Sequence, residues 1–342
     1  MPSQVDPATI LRALSLDAKS ATITSHGGSG FASTFRITTP NNTIFVKTSS
    51  SPGAAVMFQG EHASLNAIHD AVPSLAPKAL GWGEVSPAKG SRGTFFLATE
   101  FLELGGGIGR SRAKGSSGGS GLSLAQKLAK LHSSPAPIPQ GSDRPQFGFP
   151  VTTCCGDTPQ DNTFTSSWAD FFANHRLLMI LERGEKSNGS DPELRAVVQR
   201  TVDQVVPKLL SDGHLGGKDG IIPVVVHGDL WSGNKGKGTF LGRDQQGQGD
   251  AIEDVVFDPS ACYGHNEYDF GIMNMFGGFG SQFWSHYHDI VPKTEPVAEY
   301  DDRVSLYESY HHLNHWAIFG GGYRSGAMSI LKGLLRKYED HL

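Results

Sequence analysis

The chain has 342 residues, enough for one large domain or two lobes around a sizeable core. A formal charge of -5 argues against a nucleic-acid binder, and no apolar run in the sequence approaches membrane-spanning length. Three cysteines, two of them adjacent at Cys154-Cys155, suit reduced thiols in a cytoplasmic protein, and Met1 to Asp6 lacks the basic and apolar regions of a secretory signal.

In chain order, Asp6-Pro7 reads as a helix cap with proline at the first helical position, followed by an apolar face of Ile10, Leu11 and Leu14. Short strands come next. His26-Gly27-Gly28-Ser29-Gly30 reads as one turn, and Pro40-Asn41-Asn42 as another between Phe35-Arg36-Ile37 and Ile44-Phe45-Val46-Lys47. Gly28, Ser29 and Gly30 could let backbone amides approach a polyphosphate, although the pattern G-x-G-x-x-S is weak by itself and a plain hairpin fits nearly as well. No Gly-Lys is followed by Ser or Thr, so a Walker-type phosphate loop is absent.

Lys47 ends its strand on the face opposite Val46. From Phe58 to Val72 the spacing of Phe58, Leu65, Ile68 and Val72 predicts a helix, and Glu61 falls on the same stripe. A carboxylate on a core-facing stripe needs a cation, and Lys47 is the natural one. Thr94 to Thr99 reads as a strand running into Glu100-Phe101-Leu102. Residues 104–121, rich in glycine and serine, have nothing to bury and read as a flexible surface insert. Helices are predicted over Leu122–His132, Trp168–Leu181 and Leu194–Leu210, the last bent or ended at Pro207.

The chemistry concentrates between residues 224 and 258. The β-branched run Val224-Val225-Val226 stops at the polar loop His227-Gly228-Asp229-Leu230-Trp231-Ser232-Gly233-Asn234. A second run, Val255-Val256-Phe257, ends in Asp258. Asp and Asn fill ordinary turns, but an acid, an amide and a second acid at strand ends suit phosphoryl transfer from Mg-ATP. One carboxylate orients the hydroxyl, while the amide and the other carboxylate hold magnesium. The spacing D-x4-N matches the catalytic loop of protein kinases. Pro259 after the acid should hold Asp258 in one conformation. Further helices are predicted over Arg303–Phe319 and Met328–Tyr338. His311, His312 and His315 share the first and invite a metal reading, which is not the favoured one.

These segments resemble the fructosamine-3-kinase, or ketosamine-3-kinase (protein-ribulosamine 3-kinase), family, most of all its fungal members. Besides His227 to Asn234, the resemblance rests on Phe147 to Gly156, on Phe257-Asp258-Pro259 and on Tyr263 to Asp269 running on to Phe279. It implies an α+β, two-lobed protein-kinase-like fold of the aminoglycoside-phosphotransferase kind. A small β-rich nucleotide-binding lobe would span 1–103, the insert 104–121, and a helical catalytic and substrate lobe 122–342. It also implies ATP and magnesium as cofactors and ATP-dependent phosphorylation of the C3 hydroxyl of ketosamines, free or on glycated proteins, by a monomer without nucleic-acid or membrane partners. Asp229 would be catalytic, Asn234 and Asp258 the magnesium ligands, and Lys47 with Glu61 the phosphate clamp. Gly28, Ser29, Gly30, Glu100, Phe101 and Leu102 would contact the nucleotide. Trp231 would wall the sugar, while His227 and Asp269 would brace the catalytic loop. Some relatives carry cysteine at the position of Ser29, so redox control through that loop is not implied. Two alternatives stand beside this reading. One is a kinase for an aminoglycoside, choline or a free sugar amine, and the other is a catalytically dead nucleotide-binding scaffold.

Overall fold

A computed structural model describes residues 7–29, 32–85, 93–105, 121–241 and 251–338. Asp6, Gly30 and most of the predicted insert therefore lie outside the described residues. The chain opens with α1 (Pro7–Ala13), β1 (Thr22–Ser29), β2 (Ala32–Thr38), β3 (Thr43–Ser49), α2 (Ala54–Ala71), β4 (Ala79–Val85) and β5 (Thr94–Leu104). All pairings are antiparallel. β5 lies between β3 and β4, and its last residues continue the sheet onto β9 (Lys235–Leu241) and β10 (Glu253–Val256).

Strand alternation gives this sheet two buried faces. Val46, Phe96 and Ala98 join Ile10, Leu11 and Ile37 in a small core against α1. Leu97 points the other way, into the main core with Phe58, Leu65 and Ile68 of α2. Lys47 therefore leaves Val46 in the small core and shares a face with Phe45, as alternation predicts. β3 nonetheless runs two residues past it, to Ser49.

Over its described residues, 26–29, the glycine run is not a turn. β1 passes through it to Ser29, with a register irregularity between Ser25 and Gly28 where Gly27 has φ 94°. Glycine supplies the positive φ that such a bulge requires, and the same property invites a turn reading from sequence.

The remaining elements are α3 (Leu124–His132), β6 (Thr153–Cys155), β7 (Thr158–Gln160), α4 (Trp168–Phe172), α5 (Met179–Asn188), α6 (Pro192–Gln204), α7 (Val206–Leu210), β8 (Val224–Val226), β11 (Cys262–Gly264), α8 (Tyr268–Phe276), α9 (Ser281–His288), α10 (Tyr300–Phe319) and α11 (Tyr323–Tyr338). Ser123 and Gln126 close a reciprocal capping box on α3. The predicted 168–181 helix contains a π-helical stretch, Ala173–Leu178, joining α4 to α5. That wide turn holds the fully buried Arg176, whose guanidinium donates to Asp161 O at 3.0 Å and Asn162 Oδ1 at 2.9 Å. The 194–210 pattern breaks at Val205, and Pro207 lies in the first turn of α7, where its missing N–H costs nothing.

Candidate active site

β8 is buried at all three valines and pairs with β11, so it delivers its loop rigidly from the core. The backbone N–H groups of His227 and Gly228 both donate to the Asp269 carboxylate, at 2.9 and 2.7 Å. The same carboxylate accepts from His132 Nε2 at 3.1 Å. Burial alone would raise the Asp269 pKa, but the His132 bond and these amides outweigh it and hold the group below its usual range. The imidazole of His227 ties two loops together, donating from Nε2 to Phe257 O at 3.1 Å and accepting the Asp229 N–H on Nδ1 at 3.2 Å. Burial lowers its pKa, so it serves here as a neutral ring.

Asp229 follows at the loop's entry to the cleft. Asn234, in a short 3-10 turn, donates its amide to Asp229 O at 2.9 Å and to Asp229 Oδ2 at 3.2 Å. Burial first, then the charge of Asp258, pushes the Asp229 carboxyl up to about 8, against the opposing pull of the Asn234 amide. Asp258 has φ 55°, a left-handed conformation unusual outside glycine, held between the buried end of β10 and Pro259.

Lys47 Nζ donates to Glu61 Oε1 at 2.7 Å and bonds Asp258 as well. Burial would lower the Lys47 pKa, but Glu61 and Asp258 outweigh it and raise it. Asp258 is lowered, because Lys47 overcomes the burial effect, while burial leaves Glu61 raised despite Lys47.

These groups stand where two cavities meet. The larger, about 320 Å³, is lined by Lys47, Glu61, Asp258, Phe45, Glu100 and Leu102, among others. The smaller, about 190 Å³, shares Lys47, Glu61 and Asp258 and adds Asp229, Asn234 and Trp231. Glu100 accepts the Lys78 N–H at 2.8 Å on its carboxylate. Phe101 does not line either cavity. Its ring packs on His26 and Phe45, with Arg36 stacked 4.7 Å above it. Gly28 and Ser29 lie on β1. Trp231 is 39% exposed, lies across Gly233 and packs on Phe276 at 5.6 Å.

The donor set suits magnesium. With its amide nitrogen committed to Asp229, Asn234 keeps a carbonyl oxygen, and the half-exposed Asp258 carboxylate adds a second oxygen donor. Two oxygen ligands are what a hard cation needs when phosphates and water complete its shell. Among the described residues no cluster of three or more His, Cys, Asp and Glu could hold a metal. His311 is fully buried, and its ring nitrogens have no hydrogen-bond partner in the structure.

Several site residues escaped sequence reasoning. Phe45 could have been found, since it sits two residues from Lys47 on the same strand face. Cys154 and Gly156 line the smaller cavity from the β6–β7 hairpin. His132 reaches Asp269 across 137 positions, with no local signal.

A family description for fructosamine kinase matches residues 7–337. The chain is 33% identical to ketosamine-3-kinase of Mus musculus over 93% of this chain and 97% of that protein. It is 36% identical to the chloroplastic protein-ribulosamine 3-kinase of Oryza sativa subsp. japonica, over 92% and 79% respectively. Among solved structures, the fold is similar to a putative fructosamine-3-kinase from Thermobifida fusca, with TM-score 0.70 and 22% identity over 98% and 99% of the two chains. It is also similar to the aminoglycoside phosphotransferase APH(4)-Ia, with TM-score 0.53 and 13% identity over 97% and 99%. The fold is thus the two-lobed protein-kinase-like one, and the chain belongs to the fructosamine kinase family.

Proposed function

We propose that this protein transfers the γ-phosphoryl group of ATP to the C3 hydroxyl of ketosamines on glycated proteins, and so begins deglycation. The observation that carries this reading is the meeting of Lys47, Glu61, Asp229, Asn234 and Asp258 at the junction of two cavities. The larger cavity takes the nucleotide, with its base against the 100–102 segment and its phosphates toward Lys47. The smaller takes the sugar against Trp231. Lys47, fixed by Glu61, orients the phosphates, and Asp229 orients the hydroxyl and receives its proton. Asn234 and Asp258 are the residues that would hold magnesium, whose charge offsets that building on the transferring phosphoryl group.

The cationic secondary amine of a ketosamine suits a cleft holding Asp229 and an aromatic wall. Phosphate at C3 gives the product its own route apart. Loss of a C1 proton forms an enaminol, whose electrons expel the C3 phosphate and leave an unsaturated imine. Water hydrolyses that imine and frees the lysine amine.

Residues 1–103 form the nucleotide lobe in this reading and 122–342 the catalytic lobe. Among the described residues no helix is long and apolar enough to cross a membrane. Cys154, Cys155 and Cys262 are free thiols. Free thiols suit a reducing compartment, and in this reading the protein is a cytoplasmic monomer that acts on glycated proteins or free ketosamines without nucleic acid or membrane.

The test is radiolabel transfer from ATP to a glycated protein and to the same protein after borohydride treatment. Reduction removes the C2 ketone and keeps the hydroxyls, so label only on the unreduced protein is expected. Equal labelling would refute ketosamine recognition. Transfer confined to an aminoglycoside or choline would establish the other small-substrate reading.

A further inference from the structure

A file of aromatic side chains leads away from the catalytic cleft. Trp231, in the wall of the smaller cavity, packs on Phe276 at the end of α8 with ring centres 5.6 Å apart. Phe276 packs on His315 of α10 at 5.2 Å. His315 packs in turn on Phe319 at 5.7 Å and on Tyr323, the first residue of α11, at 5.1 Å. A second contact joins this file to the cleft. Ile318 Cδ1 lies 3.0 Å from where a Cβ on Gly156 would stand, and Gly156 lines the same cavity as Trp231.

Three of the five rings are exposed, while His315 and Tyr323 are half-buried. Trp231 and Phe276 are each 39% exposed and Phe319 is 64% exposed. An aromatic strip that starts in the wall of a cleft and continues onto the surface suits a binding site. Glycine turns flank it. A Cβ on Gly277, Gly280, Gly321 or Gly322 would meet nothing within 4 Å, so no neighbouring atom crowds these turns.

We infer that this strip docks the polypeptide on either side of the modified lysine, so that the enzyme reads a stretch of chain as well as a sugar. The inference rests on the ketosamine reading of the site. Its occupant follows from geometry. Asp229 and Trp231 line one cavity, and a lysine stem spans about 6 Å from Cα to Nζ, so a sugar held there with its amine toward Trp231 places the lysine backbone one or two ring positions along the file. An extended chain advances roughly 3.3 Å per residue, which brings residues about two or three positions from the lysine over Phe319 and Tyr323. Apolar or aromatic side chains are the ones that gain there, since rings supply contact area at little entropic cost.

Steady-state kinetics of the full chain test this with three acceptors: free ε-fructosyl-lysine, a decapeptide carrying one ε-fructosyl-lysine between leucines, and the same peptide with serines in their place. The leucine peptide is expected to have a KM about tenfold below that of the free adduct, the scale of one well-packed anchor. Phe319→Ser and Tyr323→Ser should each erase most of that advantage while leaving kcat and KM for free ε-fructosyl-lysine unchanged. Equal KM values for all three acceptors in the unmodified enzyme would overturn the docking strip. So would variants that shift every acceptor alike, or none. Absence of transfer to all three is a separate failure, that of the ketosamine reading itself.

Discussion

Gly228 donates its backbone N–H to the buried Asp269 carboxylate at 2.7 Å, and only a residue without a side chain fits there. Its φ is 79°, and a Cβ would stand 2.1 Å from Ser260 O, a backbone atom that cannot step aside. Gly228→Ala should therefore displace the loop that carries Asp229, costing on the order of 2–4 kcal/mol and most of the turnover. Asp269→Asn keeps the shape and loses the charge that both amides and His132 address, turning one acceptor into a donor facing a donor. It should also lower kcat strongly. Nucleotide affinity near its normal value, measured by titration, separates this outcome from general unfolding. A kcat near that of the parent in either variant would show that the loop does not depend on this brace.

Lys47 carries two carboxylates, not one. The side chains of Lys47 and Glu61 are 19% and 13% exposed and that of Asp258 is 51% exposed, so the full energy of a buried pair does not apply. Lys47→Ala should cost roughly 1–3 kcal/mol at pH 7.5, below the range for a fully buried charge. The sign with pH follows from Asp258, whose folded pKa lies below its ordinary value. Its stabilising share is present above the ordinary carboxylate pKa of 3.8 and is lost only as pH falls through the lower folded value, so the deficit of the variant should persist at pH 4 and shrink below it, toward pH 3. Urea unfolding at these pH values measures this. In a double-mutant cycle, Glu61→Gln should recover part of the stability and none of the activity. Additive losses would mean that the contact carries no energy.

A second ion pair holds the helical lobe. Glu267 and Arg303 are both fully buried, with Arg303 Nε donating to Glu267 Oε2 at 2.8 Å and Arg303 NH2 donating to Thr294 O at 2.6 Å. Arg303→Met strands the carboxylate of Glu267, with the Thr294 N–H as its remaining donor, and should cost about 3–5 kcal/mol. Glu267→Gln added to it should restore part of the loss. A denaturation midpoint unchanged in Arg303→Met would show that water relieves the carboxylate.

Local pattern carried the sequence reading wherever a residue's role is set by its own element. The Lys47–Glu61 bond follows from alternation on β3 and a helical stripe on α2. The buried run of β8 ending in a polar loop follows from three consecutive valines, and the family match extends the same motifs along nearly the whole chain. What sequence could not supply is closure between distant elements. Asp258 meets Lys47 across 211 positions, and no periodicity encodes that encounter. Glycines misled once, since at 26–29 they mark a bulge within β1.

Asp229 offers the sharpest reading of charge. Its folded pKa, about 8, stands far above the 3.8 of a free aspartate, through burial and the nearby charge of Asp258. A raised carboxyl favours folding while protonated, so the benefit is complete below the ordinary pKa and is lost as pH rises through the folded value. At pH 8 the parent enzyme bears the cost of an ionised, partly desolvated carboxylate, and Asp229→Asn does not. That variant should be more stable than the parent by roughly 1–3 kcal/mol at pH 8, less than the whole shift because the cleft admits water, and indistinguishable from it near pH 4. Turnover should fall by orders of magnitude at every pH, since no group remains to take the hydroxyl proton. In the parent, kcat/KM for a ketosamine should fall on the acid side as Asp229 takes up a proton, and the cationic acceptor should shift that acid limb lower in kcat. Thermal unfolding of both proteins between pH 4 and pH 8 decides the matter. A stability difference that stays flat across that interval would mean that Asp229 titrates as an ordinary exposed carboxylate, and that the cleft does not hold its proton for the acceptor to displace.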